Sequence, residues 1–188
     1  MKRISDTICA DHRDLKSYYD RIMHADDPDE QTRWQNMFTW ELARHVVGEE
    51  LVLYPALKQH LHEDAAEDRQ QHQIIKEELA VFQTLQSTDP RFIPTMAVLM
   101  SDLAAHVNHE GVDLSNLESR ITTEESQRLA DSFDRTKHFV PTRAHPSAPD
   151  RPPYQTAVGL ITAPLDYLQD LFRKWPDTEE VNMPTVME

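Results

Sequence analysis

Apolar residues recur along most of this chain at three- and four-residue spacing, and only 3 glycines break the 188 residues. That spacing places them on one face of a helix, because positions i, i+3 and i+4 are neighbours on the helix surface. The stretches between turn signals are rich in Leu, Ala, Glu, Gln and Arg, which lose little rotamer freedom in a helix. No run of alternating β-branched residues reads as a strand. The expectation is therefore all-α.

Four stripes stand out. Helix A covers about residues 3 to 24 through Ile4, Ile8, Leu15, Tyr19 and Ile22. Asp27 and Pro28 supply an N-cap and a first-turn proline for helix B, which runs to about residue 60 with Phe38, Leu42, Leu53 and Leu57 inward. Pro55 should kink its last turns, since proline removes a backbone donor and clashes with the preceding turn. Asp64 and Glu67 have capping-box spacing for helix C, with Ile75, Leu79 and Phe82. Helix D begins near Pro90 or after Pro94 and carries Met96, Leu99, Leu103 and Leu117. Short connections make neighbouring helices antiparallel, so residues 1–120 are expected to form an up-down-up-down four-helix bundle.

The texture changes after residue 120. Thr122 to Glu125 resembles a capping box before a weakly amphipathic helix. Residues 141 to 153 are proline-rich and read as an extended connector. A short helix starting near Thr162-Ala163-Pro164 carries Leu165, Leu168, Leu171, Phe172 and Trp175. Residues 121–175 are thus an extension packed on the bundle, and 176–188 a flexible tail.

Nineteen Lys and Arg against 33 Asp and Glu give a net charge of −14. Such a chain is repelled by phosphate backbones and anionic lipid, which argues against nucleic acid and membrane partners. The single cysteine, Cys9, forms no internal disulfide and is expected to be a small buried hydrophobe. No apolar h-region and no apolar run of about 20 residues is present. A cytoplasmic protein is the expectation.

Within the stripes sit histidines and glutamates. His45 and Glu49 are four apart on helix B, and His106 and Glu110 are four apart on helix D. Each pair shares a helix face and can close on one metal. A lone pair is weak evidence, since a chain with ten histidines yields about one by chance. Here, however, both pairs lie in apolar stripes, where a buried carboxylate beside an imidazole is costly unless a cation compensates it. His12 and His72 occupy the stripes of helices A and C. The set His12, His45, Glu49 recurs as His72, His106, Glu110, as two related hairpins would, placing two metals side by side. His109 and Glu50 point off the stripe and read as surface residues or supports to the ligands. The other histidines lack recurring spacing.

Asp11-His12-Arg13-Asp14-Leu15, the stretch from His45 to Leu57, His72, and His106 to Glu110 together resemble the hemerythrin HHE cation-binding family. The resemblance covers roughly residues 5 to 118 and implies a four-helix bundle with two non-haem irons, oxo- or hydroxo-bridged. It implies His12, His45, Glu49, His72, His106 and Glu110 as ligands, with the glutamates bridging. The ligand would be dioxygen or another small diatomic or peroxide, in oxygen binding or in iron or oxygen sensing. A di-iron oxidase or oxygenase is the alternative, and the sequence leaves open whether the protein is an enzyme.

One departure concerns Asp68. Oxygen-carrying relatives resemble His-x-x-x-His on the third helix, where this chain reads Asp68 to His72. If Asp68 is a ligand, one coordination position stays open, as in a carrier. If it is not, each iron keeps a labile position, which favours redox chemistry. Asp68 can instead accept a proton from a ligand imidazole and hold that ring, or sit solvated in the first turn of helix C.

Overall fold

The computed structural model describes residues 2–62, 65–147 and 154–182, with side chains from 154–161 and 182 excluded. All regular elements among the described residues are helical. In order they are α1 (Ile4–His24), α2 (Pro28–Gly48), a π-helical turn (Glu49–Leu53), α3 (Tyr54–Leu61), α4 (Ala66–Phe82), α5 (Phe92–Glu118), α6 (Thr123–Thr136), α7 (Tyr154–Asp170) and α8 (Thr178–Asn182).

Helix α1 packs on α2, α2 on α4, α4 on α5, and α5 on α1. These four close a bundle around two apolar clusters. One holds Leu15, Ile22, Phe38, Leu42, Ile75, Leu79, Phe82, Met96 and Leu99. The other holds Ile4, Ile8, Leu53, Tyr54, Leu57, Leu114, Leu117 and Phe133. Between them lies a layer of buried polar side chains that includes His45, Glu49, His72, His106 and Glu110.

Local chemistry explains most boundaries. Asp27 accepts from the backbone N–H groups of Asp29 and Glu30, and Pro28 opens α2. Thr122 and Glu125 form the reciprocal capping box of α6. Helix α5 starts at Phe92, and Pro94 in its first turn deletes an N–H that would have had no intrahelical partner. The helix expected to bend at Pro55 is interrupted just upstream. The π turn carries one extra residue across Glu49–Leu53, and the Tyr54 N–H returns to the Glu49 carbonyl. The proline ring, which would press on the carbonyl four residues earlier, meets a widened turn instead.

Three expectations are corrected. Cys9 is exposed, because Ile8, Asp11 and Leu15 take the inward positions of α1 and turn residue 9 to solvent. The last long helix begins at Tyr154, earlier than Thr162, and contains Pro164. The apolar residues expected to pack there do not: Leu165 and Leu168, with Leu171 and Phe172 just past the end of α7, are exposed, while Asp166 and Asp170 are buried. The buried face is polar because the connector docks there through hydrogen bonds. Thr142 and Arg143 donate to Asp170, the Thr142 N–H donates to Asp166, and His145 pairs with Asp166. The stretch expected to be a loose tail contains α8, with Val181 against the first apolar cluster. Asp64, one half of the capping box expected for helix C, lies outside the described residues. Helix α4 instead follows Ala65, whose φ of 47° is left-handed.

One surface feature yields a pH prediction. Burial and the neighbouring Asp102 carboxylate push the Glu78 carboxyl up to about 7 from its ordinary 4.5. A carboxyl raised on folding supports the fold while protonated and stops doing so as pH rises through its folded value. Glu78→Gln should therefore match wild type in Tm near pH 5. It should melt higher above pH 7, as a thermal series across that range would show.

Candidate metal centre

The π turn sets the geometry of the site. In a regular α-helix Glu49 and Glu50 would point about 100° apart, one inward and one outward. With one extra residue in the turn, both are fully buried. Glu49 Oε1 lies 2.9 Å from His45 Nε2 and 4.0 Å from His12 Nε2. Glu49 Oε2 lies 3.1 Å from His72 Nε2 and 3.8 Å from His106 Nε2. One carboxylate thus faces two histidine pairs, His12–His45 and His72–His106, whose Nε2 atoms are 3.1 and 3.0 Å apart. Glu110, fully buried from α5, brings Oε2 to 3.4 Å from His12 Nε2. All six histidines and glutamates singled out by spacing therefore converge on one place.

The outer ring nitrogens have other partners. His45 Nδ1 is 3.1 Å from Asp11 Oδ2, His72 Nδ1 is 3.3 Å from Glu50 Oε1, and His106 Nδ1 is 3.0 Å from Gln71 Oε1. Each partner oxygen is an acceptor, so each Nδ1 carries a hydrogen and, in the neutral ring, each Nε2 directs a lone pair inward. Those lone pairs meet the oxygens of Glu49 and Glu110, and none of these four oxygens has a hydrogen-bond partner. Buried acceptors aimed at one another are costly unless a shared cation sits among them. Two overlapping donor sets, His12–His45–Glu49 and Glu49–His72–His106, lie close enough to hold an ion each. Imidazole with carboxylate suits iron, zinc and similar divalent ions.

Electrostatics agree with the shared role of Glu49. Burial would raise its carboxyl, but His45, His106 and His72 outweigh that and hold it well below the usual range. Glu110 is pushed well above its usual range by burial and by the Glu49 charge. Burial would lower His45, yet Glu49 and Asp11 raise it to about 10. Burial and the neighbouring His45 lower His12 to about 3. Protons and metal ions compete for the same lone pairs here, so a cation bound between the glutamates would displace protons.

Asp68 is buried but does not join the ligand cluster. Its Oδ1 accepts from His109 Nδ1 at 3.0 Å, and Asp113 lies 3.9 Å from the same nitrogen. It sits in the first turn of α4, yet it is not solvated. His109, half-exposed, is the ring that it holds.

Several contributors escaped the sequence reading. Glu50 looked off-stripe because the π turn is not legible in an i, i+4 pattern. Tyr54 places its hydroxyl 2.8 Å from His72 Nε2, and burial with the Glu49 charge keeps that hydroxyl protonated far above its ordinary range. Asp11 adjoins His12 in sequence, which was the signal available. Lys137 lies beyond the bundle, and its Nζ donates to Asp11 Oδ2 at 2.6 Å and also to Glu41.

Comparisons with known proteins point the same way. The hemerythrin HHE cation-binding domain model matches residues 3–111. An uncharacterized hemerythrin-like protein of Schizosaccharomyces pombe is 49% identical over 181 residues, covering 94% of this chain and 89% of its own. No solved structure matches. With all six ligand-type residues gathered inside a helical bundle and inside the matched stretch, the chain belongs to the hemerythrin HHE cation-binding family.

Proposed function

We propose that this protein holds two non-haem irons and uses them to bind dioxygen, or to act in iron or oxygen sensing or homeostasis. The observation that carries the reading is Glu49, fully buried, with one oxygen toward His12 and His45 and the other toward His72 and His106. His12, His45 and Glu49 would hold one iron, and His72, His106 and Glu49 the other, with Glu110 as a second bridging carboxylate. The irons would supply one- and two-electron exchange with a small oxygen species.

The protein groups do the rest. Asp11, Glu50 and Gln71 fix ring orientation by accepting the outer N–H of His45, His72 and His106. The apolar clusters on either side exclude bulk water. Tyr54 holds a proton 2.8 Å from His72 Nε2, ready to hydrogen-bond a species at the centre. His12 is the most open of the six, with its side chain 10% exposed, which suits a diatomic or peroxide better than an organic substrate.

A second reading, a di-iron oxidase acting on peroxide, nitric oxide or another small molecule, is favoured by Asp68. Engaged with His109, it supplies no ligand to either set and leaves more positions free. Both readings expect about two irons per chain after aerobic purification, and metal below roughly 0.2 per chain, or zinc alone, would overturn both. Anaerobic reduction followed by oxygen in an optical titration separates them. Return to the ferrous spectrum on removing oxygen means reversible binding, and irreversible oxidation with turnover means catalysis. Among the described residues no helix is long and apolar enough to cross a membrane.

A further inference from the structure

Behind each half of the cluster stands the same three-part arrangement. His72 gives its outer N–H to Glu50, and Glu50 accepts from Lys76 Nζ at 2.9 Å. His45 gives its outer N–H to Asp11, and Asp11 accepts from Lys137 Nζ at 2.6 Å. Both lysines are buried. The difference is where they come from. Lys76 lies on α4, inside the family-matched stretch. Lys137 caps the end of α6, in the extension beyond it.

The extension is fitted to this spot. Phe133, one turn before Lys137, is fully buried and packs edge-on to the His45 ring at a centroid distance of 6.0 Å. A Cβ at Gly48 would come within 2.9 Å of the Phe133 ring, so the bundle keeps a glycine where α6 lies against it. Lys137 also binds Glu41, which is itself held by Arg44 at 2.6 Å, and Arg44 NH1 donates to the Lys137 carbonyl. The lysine is thus locked from both ends.

We infer that Lys137 is a positioning residue for the metal centre: through Asp11 it holds His45 with Nε2 inward, so the extension is a working part of the His12–His45 half of the site. This rests on reading His12, His45 and Glu49 as the ligands of one ion. Two carboxylates, Asp11 and Glu41, meet at the ammonium. Without it the two carboxylates repel one another in a poorly hydrated place. Asp11 then leaves its contact with His45, and the ring loses the acceptor that fixes its tautomer and aim. Loss of such outer partners weakens metal binding by roughly 10- to 100-fold.

Simple electrostatics predicts the opposite sign. Deleting a buried cation beside a cation site relieves repulsion and should tighten binding. The direction of the change therefore separates anchoring from mere charge.

The test is an anaerobic titration of full-length, metal-stripped protein with cobalt(II) alone, followed by its visible absorption and by calorimetry. Wild type should bind in two steps. Lys137→Met should weaken one step by about tenfold or more and leave the other in place, while Lys76→Met weakens the step that Lys137→Met spares. Lys137→Arg, which keeps charge and donors, should recover most of the loss. Asp11→Asn should weaken the same step, and the double variant Asp11→Asn with Lys137→Met should be no worse than the weaker single, because both act along one path. Asp11→Asn also serves if Lys137→Met fails to fold. Unchanged or tighter binding in Lys137→Met, or additive losses in the double variant, overturns the inference. Cobalt uptake by wild type in which only Lys137→Met behaves as wild type removes this inference alone. No uptake by wild type removes the metal reading as well.

Discussion

Glu49→Gln should lose both metal ions together, while His138→Ala, at an exposed position, keeps them. The substitution preserves shape and volume but replaces a carboxylate whose oxygens face separate histidine pairs, 2.9 Å from His45 and 3.1 Å from His72. An amide offers one oxygen, and its NH2 group would point at one pair of imidazole lone pairs or the other. Because the side chain belongs to both donor sets, the loss should not be confined to one ion. Losing a ligand costs more than the roughly 10- to 100-fold lost with an outer partner. Stability should report the same event independently. Ligand present at about a hundred times its Kd adds about 2.7 kcal/mol to the folded state. Chelation should thus lower the Tm of wild type markedly and leave that of Glu49→Gln almost unmoved. Equal metal content in Glu49→Gln and wild type would show that the two histidine pairs bind without it, and the ligand assignment would be wrong.

The candidate ligands were legible in the sequence because coordination imposes spacing. A helix presents i and i+4 together, so His45 with Glu49 and His106 with Glu110 announce themselves, and their positions in apolar stripes carry the weight. The bundle helices were legible for the same reason. Glu50 and Tyr54 were not, because their inward direction depends on an inserted residue in the turn Glu49–Leu53. Pro55 hinted at a disturbance there without giving its form. Lys137 was beyond reach for a different reason. It meets Asp11 across 126 positions, and no local pattern encodes a contact at that separation. The leucines of α7 misled in the other direction. Their helical spacing is real, but the surface they would cover already pairs with buried Asp166 and Asp170. Asp68 shows the limit of a family pattern. Its place one turn before His72 suggested a ligand, and only the position of His109 across the α4–α5 interface reveals another partner for it.

The extension gives the second large effect. Phe133→Ala should destabilise the protein by about 3–5 kcal/mol, the range for removing a fully buried aromatic ring from a core. Its ring is fully buried and closes three surfaces at once: the Gly48 backbone at the end of α2, the edge of His45, and the second apolar cluster with Ile8, Leu53 and Leu117. Partial collapse is hindered on one side by Gly48, which has no side chain to move into the space, and on another by His45, which is tied to Asp11. The cavity should therefore stay largely open, placing the loss toward the upper end of that range. If residues beyond 120 were a separate unit resting lightly on the bundle, the same substitution would unfold α6 alone. The bundle would then melt as in wild type. The two outcomes are distinguishable by denaturant unfolding followed at two probes in a Trp40→Phe, Trp175→Phe background, helical circular dichroism for the whole chain and fluorescence of the remaining Trp34 for the bundle core. Coincident transitions, both shifted by Phe133→Ala, would establish that bundle and extension fold as one cooperative unit. A shift of less than about 1 kcal/mol in the Trp34 transition, well short of a core-cavity effect, would mean that α6 is dispensable to the bundle. The close approach at Gly48 would then need another explanation. The expected result is the coincident shift, because α6 contacts α1, α2 and the π turn together, and the π turn carries Glu49.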